Sequence, residues 1–290
     1  MRGASGSDTA EALVRQGMRS VRHSEREQLA ELLRSEPQVR ESLAGASSVL
    51  WWKRLAAART LSLIANESDR ATIFALLSDN HAAVQLAATS CLGRYADQEL
   101  LTRVIDGLAS ASSAVRSYQI GVLRQYPDLV WRMLYDRIRP DAAPHRLYAY
   151  IHAAAELDDA QCMQRVADLS THPHPEVRVA VARVLRSQTG DSAHVKLLSL
   201  LRDPDWRVRA QAARGLAGMT DERTVEELAR ALTDSNWWVR FRAGLALAGT
   251  GGKGHAALDE ALRHQDRYAR DMAMLVIGLS DASVAELSEG

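Results

Sequence analysis

The chain has 290 residues, enough to bury a substantial core, and its 36 Lys+Arg balance 36 Asp+Glu at a net charge of zero. That neutrality disfavours a protein that works by neutralising nucleic-acid phosphates or an anionic membrane, since both need a cationic surplus. Hydrophobic residues make up 47% but aromatics only 5%, with seven prolines, a composition that suits helices over sheets.

Two cysteines, Cys91 and Cys162, exclude a disulfide framework or a Cys-rich metal module. No run of about 18 apolar residues occurs, so no membrane span is expected in this chain. The opening MRGASGSD has no charged segment followed by an apolar one, so it reads as a disordered start or a vector scar rather than a signal peptide. These features together predict a cytoplasmic protein, although an anchor removed upstream would leave no trace. Only three lysines occur (Lys53, Lys196, Lys253), and the Arg excess reads first as genomic base composition.

Residues 1–45 contain one clear element, the charged amphipathic stretch EREQLAELLRSEP (25–37), and this region is expected to be an N-terminal helical cap. From residue 46 to 290 a repeat runs. Its copies are WKRLAAARTLSLI (52–64), AAVQLAATSCLGRY (82–95), SAVRSYQIGVLRQY (113–126), PHRLYAYIHAAAEL (144–157), PEVRVAVARVLRSQ (175–188), PDWRVRAQAARGLAGM (204–219), SNWWVRFRAGLALAGT (235–250) and RYARDMAMLVIGLS (267–280). Anchoring on the residue before the usual Arg gives Lys53, Val84, Val115, His145, Val177, Val208, Val239 and Ala269, at spacings of 31, 31, 30, 32, 31, 31 and 30. Val21-Arg22 lies near the phase of this repeat but lacks its small residues.

A unit of about 31 residues accommodates two short helices and two tight turns. The second helix carries the anchor, small residues four and five positions on, and an aliphatic at position eight, as in Val208, Ala212, Ala213 and Leu216. First helices read as ADQELLTRVIDGL (96–108), DSAHVKLLSLLRD (191–203) and DERTVEELARALTD (221–234), with Asp97, Asp191 and Asp221 as expected N-caps. Asp79, Asp203 and Asp234 mark the turns between the helices. One unit cannot bury both its faces, so units must stack. The last stretch, DASVAELSEG (281–290), reads as the start of another helix or a polar capping turn.

The D-x-x-x-x-V-R-x-x-A-A-x-x-L pattern at this spacing resembles HEAT repeats, specifically the short bacterial type called PBS-lyase HEAT-like, over residues 46–290. The resemblance implies an all-α right-handed solenoid of about eight helix pairs. It further implies a ladder of Asp and Arg side chains along the stack. The Arg series is Arg54, Arg116, Arg146, Arg178, Arg209, Arg240 and Arg270, interrupted by Gln85. Ser110 and His172 stand where an Asp is expected, so breaks are expected there.

Projection of the second helices points the positions −1, +2, +3 and +6 from each anchor into the concave side. Those slots hold Trp52, Leu55, Arg59, Leu86, Ser90, Tyr118, Leu147, Tyr148, Ile151, Val179, Arg183, Arg207, Gln211, Arg214, Trp238, Phe241, Arg242, Leu245, Tyr268, Asp271 and Met272. Trp, Tyr, Phe, Met and Arg are the residues enriched in interface hot spots. The predicted partner-binding residues are Trp52, Arg59, Tyr118, Tyr148, Arg183, Arg207, Arg214, Trp238, Phe241, Arg242 and Tyr268. A helical phase rotated by about 60° would instead pack such side chains between repeats, and both arrangements stay open.

Other motifs carry less. GTGGKG (249–254) lacks the hydroxyl residue after its lysine and follows a helix, so an inter-repeat turn is expected rather than a phosphate loop. His172-Pro-His174-Pro has no supporting second pair of ligands, and no metal or other cofactor is expected. His145 and His152 share a helix face, and Cys91 and Cys162 read as small core residues. Asp158-Asp159 and Glu226-Glu227 read as helix starts. The function expected is therefore a non-catalytic scaffold that binds a segment of another protein in its concave groove. The alternative is an alkyl-base DNA glycosylase of the HEAT-like kind, with Trp206, Trp237, Trp238, Arg183, Arg207, Arg214 and Arg242 lining the groove. The missing cationic surplus weighs against it.

Overall fold

A computed structural model of the chain describes residues 5–19, 25–158, 160–188 and 190–289. Among these residues the regular structure is entirely helical, as expected, and it forms two compact units, residues 1–136 and 137–290. The first unit contains α1 (Ser5–Arg19), α2 (Arg26–Ser35), α3 (Pro37–Ala44), α4 (Trp51–Ile64), α5 (Arg70–Leu76), α6 (Ala82–Cys91), α7 (Gln98–Gly107) and α8 (Ser113–Leu123), and α9 (Pro127–Arg137) ends it. The second contains α10 (Pro144–Leu157), α11 (Ala160–Asp168), α12 (Pro175–Leu185), α13 (Asp191–Leu200), α14 (Trp206–Gly215), α15 (Glu222–Ala231), α16 (Trp237–Gly249), α17 (Gly252–Ala261), α18 (Arg267–Ile277) and α19 (Asp281–Glu289).

Within each unit the second helices stack on one another. In the first, α4 packs on α6 and α6 on α8, and in the second the series runs α10, α12, α14, α16, α18. First helices form a parallel layer, seen in the α5–α7 and α15–α17 contacts. The anchors explain the stacking: Val84, Val115, Val177, Val208, Val239 and Ala269 are buried, as are the small pairs Ala57-Ala58, Ala88-Thr89 and Ala212-Ala213 that let the helices approach.

The start of the chain departs from expectation. Helix α1 begins at Ser5, inside the MRGASGSD segment read as a disordered start or vector scar, and packs on α3 and α4. Ala10 and Val14 lie one turn apart and join Ala30, Leu33, Val39 and Ile64 in a small core. An i, i+4 pair flanked by Leu13 and Met18 suffices to dock a helix whose first turn looks polar.

The ladder arginines do two jobs with one guanidinium. Nη1 of Arg54, Arg178, Arg209, Arg240 and Arg270 donates to the carbonyls six and five residues back, for Arg178 at 2.7 and 3.0 Å. In Arg178 and Arg209 the remaining fork grips the Asp in the turn before the next repeat's second helix, Arg178–Asp203 at 2.6 and 2.7 Å and Arg209–Asp234 at 2.7 and 2.9 Å. Arg54 holds Asp79 likewise. Lysine has neither the planar fork nor the donor number, so these arginines have a chemical reason beyond base composition. Gln85 keeps only the carbonyl contact, to Asp79 at 2.7 Å.

Each Asp also caps its own turn. Asp79, Asp203 and Asp234 accept the backbone N–H two residues on at 2.8–2.9 Å. Where Asp is missing, His172 and His264 accept the same bond through Nδ1, at 3.1 and 3.0 Å. The break at His264 was not expected, and there Arg240 lies over the Tyr268 ring at 4.7 Å. Asp97 and Asp221 cap α7 and α15 as expected. Asp191 does not cap: it is the first residue of α13, preceded by Gly190 at φ 149°. Asp158 closes α10 in a left-handed conformation (φ 52°) instead of opening α11, because the chain must reverse there, and Asp159 lies outside the described residues. Glu227 is not a simple dipole complement either, being buried between Arg202 and Arg230.

The carboxylates of this ladder set an acid limit. Arg54 holds Asp79 below the ordinary carboxylate range against the opposing effect of burial. At Asp234 burial favours the neutral form, but Arg209 and the Asn236 N–H outweigh it. Since the folded values lie below the unfolded ones, the stabilisation is complete above about pH 4 and is lost as pH falls through the lowered values. The melting temperature should therefore drop as pH falls below about 4, and less steeply in Asp79→Asn. An equal drop in that variant would remove Asp79 from the account.

Candidate functional site

Four of the eight second helices (α4, α14, α16 and α18) carry an aromatic residue at one or both of the two positions before the anchor. In the first unit Trp51 and Trp52 meet edge to face at 6.2 Å, and His81 stacks on Trp51 at 4.0 Å. In the second unit Trp237 and Trp238 are 43% and 49% exposed and meet edge to face at 4.9 Å. Adjacent residues of one helix cannot both be buried on one face, and here neither is. Trp237 stacks on Phe241 at 4.8 Å, and Trp238 reaches the same ring edge-on at 6.4 Å. Asn236 fixes the start of α16 by accepting the Trp238 N–H at 2.9 Å. Trp206 opens α14, which packs on α16, and is also exposed, as is Tyr268 on α18.

The second-helix face carries arginines as well. Arg183 (α12), Arg214 (α14) and Arg242 (α16) come from successive second helices, with Arg186 at the end of α12. Burial, then the neighbouring charges of Arg186, Arg242 and Arg183, push the Arg214 pKa down. Burial, then Arg186, does the same to Arg242. Both arginines reach α19: Arg214 Nε donates to the Ser288 carbonyl at 2.9 Å, and Arg242 Nη1 to the Leu287 carbonyl at 2.6 Å.

The predicted partner-binding residues fall into two groups. Trp52, Arg59 and Tyr118 belong to the first unit and are exposed; Arg59 lies 3.8 Å from Glu11, and Tyr118 Oη shares a hydrogen bond with Ser90 at 2.7 Å. In the second unit Trp238, Phe241, Arg242 and Arg214 gather around α16 and α19. Arg183, Arg207 and Tyr268 are exposed and Tyr148 is half-buried. Arg207 is tied to the Asp205 cap at 2.9 Å.

Some of the projected groove slots are corrected. Leu147, Ile151, Leu245 and Met272 are buried, so the rotated phase applies to them. The reason is visible at Gly244, where an added Cβ would lie 2.8 Å from Val276 and 3.6 Å from Met272: α18 packs so closely on α16 that its +3 residue fills the space between repeats. Trp51 and Arg186 were missed as surface residues, and Trp206 and Trp237 were placed on the groove only in the glycosylase alternative. A tryptophan recurring two places before the anchor in three copies was the available signal.

The remaining motifs offer little chemistry. Cys91 and Cys162 are buried, and burial pushes the Cys91 thiol up to about 12, far from a reactive thiolate. His172 uses Nδ1 for the turn and has Nε2 3.1 Å from the Pro140 carbonyl, so both ring nitrogens are occupied. Among the described residues no three His, Cys, Asp or Glu side chains gather as a metal site would need. His145 and His152 are exposed. GTGGKG is the α16–α17 turn, with Gly251 at φ +71°. No helix among the described residues is long and apolar enough to cross a membrane.

A family model described as HEAT repeats matches residues 194–278. No curated protein matches the chain in sequence. Among solved structures, Escherichia coli YibA is 15% identical, with 97% of this chain and 99% of that one covered and a TM-score of 0.47. An engineered protein is 18% identical over 77% of this chain and 98% of its own, at 0.41. Human deoxyhypusine hydroxylase in complex with glycerol is 19% identical over 98% and 100%, at 0.34. Given the family match and the arginine clamp shared by the repeats around it, residues 194–278 are HEAT repeats within an all-α chain.

Proposed function

We propose that the chain is a non-catalytic scaffold that receives a segment of another protein on the exposed face of its second helices. The observation that carries this reading is the ordered aromatic cluster Trp237–Trp238–Phe241, exposed though already stacked, beside Trp206 and Tyr268. Such rings offer large contact area with little side-chain entropy left to lose on binding. Trp238, Phe241, Tyr268 and Tyr148 would supply apolar anchors, and Arg183, Arg207, Arg214 and Arg242 would orient acidic groups. Trp52, Arg59 and Tyr118 would play the same part in the first unit. The reading needs no cofactor and places the protein in the cytoplasm.

The test is affinity capture with the wild-type chain and a Trp237→Ala/Trp238→Ala variant of unchanged melting temperature. A partner identified with the wild type is expected to bind the variant at least tenfold more weakly, since two hot-spot tryptophans are each worth more than about 1 kcal/mol. Equal binding would remove the aromatic cluster from the interface. Release of alkylated base from DNA by the purified protein would instead establish the glycosylase alternative.

A further inference from the structure

The last helix does not continue the array. A further first helix in register would pack on α17, as α17 does on α15, yet α19 packs on α16. It is held at its C-terminal end by Arg242 from α16 and Arg214 from α14, so it lies across the layer of second helices. Ser280 caps its other end, accepting the Ser283 N–H at 3.2 Å. A helix C-terminus carries partial negative charge on its unpaired carbonyls, and arginines are its natural complement.

The attachment is light. Of the α19 side chains, Ser283, Val284 and Ser288 are half-buried, whereas Leu287, Ala285 and Glu286 are exposed. One valine and two serines bury little apolar surface. Two charge-assisted bonds to carbonyls add a similarly small amount after desolvation of the arginines. The sequence of α19, DASVAELSE, has three acidic residues and no basic one. Two arginines, with Arg183 and Arg186 as charged neighbours, thus hold a short acidic helix by its end and barely by its side.

We infer that α19 is a built-in stand-in for the partner: the arginine site of α12, α14 and α16 takes the C-terminal end of an acidic helix, and α19 occupies it until a partner helix with a more apolar inner face displaces it. This rests on the scaffold reading and specifies the partner's chemistry and its regulation. Tethering keeps a weak occupant in place, because a short linker gives an effective concentration on the order of millimolar. A partner must then outcompete α19, and its apparent affinity falls in proportion to the fraction of sites α19 leaves free.

The probe is a synthetic peptide of residues 279–290 with an N-terminal fluorophore, read by anisotropy. The intact chain should bind it at least tenfold more weakly than the full chain carrying Val284→Asp, which loosens α19, or a chain ending at Leu279. Adding Arg214→Gln and Arg242→Gln to either released form should weaken binding at least tenfold. Equal binding by intact and released chains, no binding by either released form at 1 mM peptide, or indifference to the arginine changes would each overturn the inference. A partner captured through Trp237 and Trp238 whose affinity is the same with and without α19 would leave the scaffold reading standing and remove this one.

Discussion

Arg178→Ala is expected to destabilise the second unit by about 3–5 kcal/mol, the cost of breaking a buried ion pair from one side. Arg178 and Asp203 are each only 9% exposed. The substitution leaves the Asp203 carboxylate with the Asp205 N–H as its remaining hydrogen-bond donor, and strips the His172 and Pro173 carbonyls of theirs. Because Asp203 Oδ1 also holds the turn that opens α14, the damage passes to the next repeat, where Arg209 clamps the Asp203 carbonyl. In a stacked array such a contact is a nearest-neighbour coupling, so urea unfolding should become less cooperative as well as less stable. Arg270→Ala is the matched control. It clamps the His264 and Gln265 carbonyls, at 2.7 and 2.8 Å, but among the described residues its fork holds no carboxylate. A loss of about 1 kcal/mol is expected there. Should the two variants prove equally stable, the fork contributes nothing and the ladder is only a set of turn clamps.

That comparison shows why the sequence was informative about the array and silent about its surface. A 31-residue period with Val, Ala-Ala and Leu at fixed offsets reports burial, because every copy packs against copies of itself and meets the same constraint. The Arg–Asp ladder was expected from the resemblance to HEAT repeats, including the break at His172. The substitution at His264 escaped notice because an imidazole keeps the turn cap while losing the carboxylate, so the pattern changes without the turn changing. Surface slots have no such repetition. Leu245 and Met272 sit at offsets that are exposed in other copies and buried in theirs, since Gly244 lets α18 approach α16 more closely than a residue with a side chain would. The path of α19 was illegible for a different reason. Nothing in DASVAELSE distinguishes a helix that extends the stack from one that crosses it, and the arginines that settle the matter lie 45 and 74 residues away. The tryptophans two places before the anchor were legible, but the projection took only the positions −1, +2, +3 and +6 and left that one out.

Gly254→Ala is expected to cost about 3 kcal/mol, while Gly252→Ala, two residues earlier in the same glycine-rich turn, is expected to be close to neutral. A Cβ on Gly254 would collide with the Leu247 carbonyl oxygen and Thr250 Oγ1, whereas one on Gly252 meets nothing within 4 Å. The obstacle at Gly254 is mainly backbone, the last turn of α16, and Thr250 Oγ1 is itself tied to the Leu247 carbonyl at 2.7 Å. Relief therefore requires α17 to move off α16 and to carry with it the packing of α17 on α15 and α18. The loss should concentrate at this end of the second unit, so amide exchange should accelerate in α17 and α18 before it does in α12. A phosphate-cradling loop would behave differently: its glycines serve a ligand, so substitution would leave the melting temperature of the free chain largely unchanged and would abolish a nucleotide-induced rise. A melting temperature for Gly254→Ala indistinguishable from the wild type would refute the packing account. With Gly252 tolerant and Gly254 intolerant, the glycines of GTGGKG divide by what stands opposite each Cβ, which is how a helix–helix turn selects them.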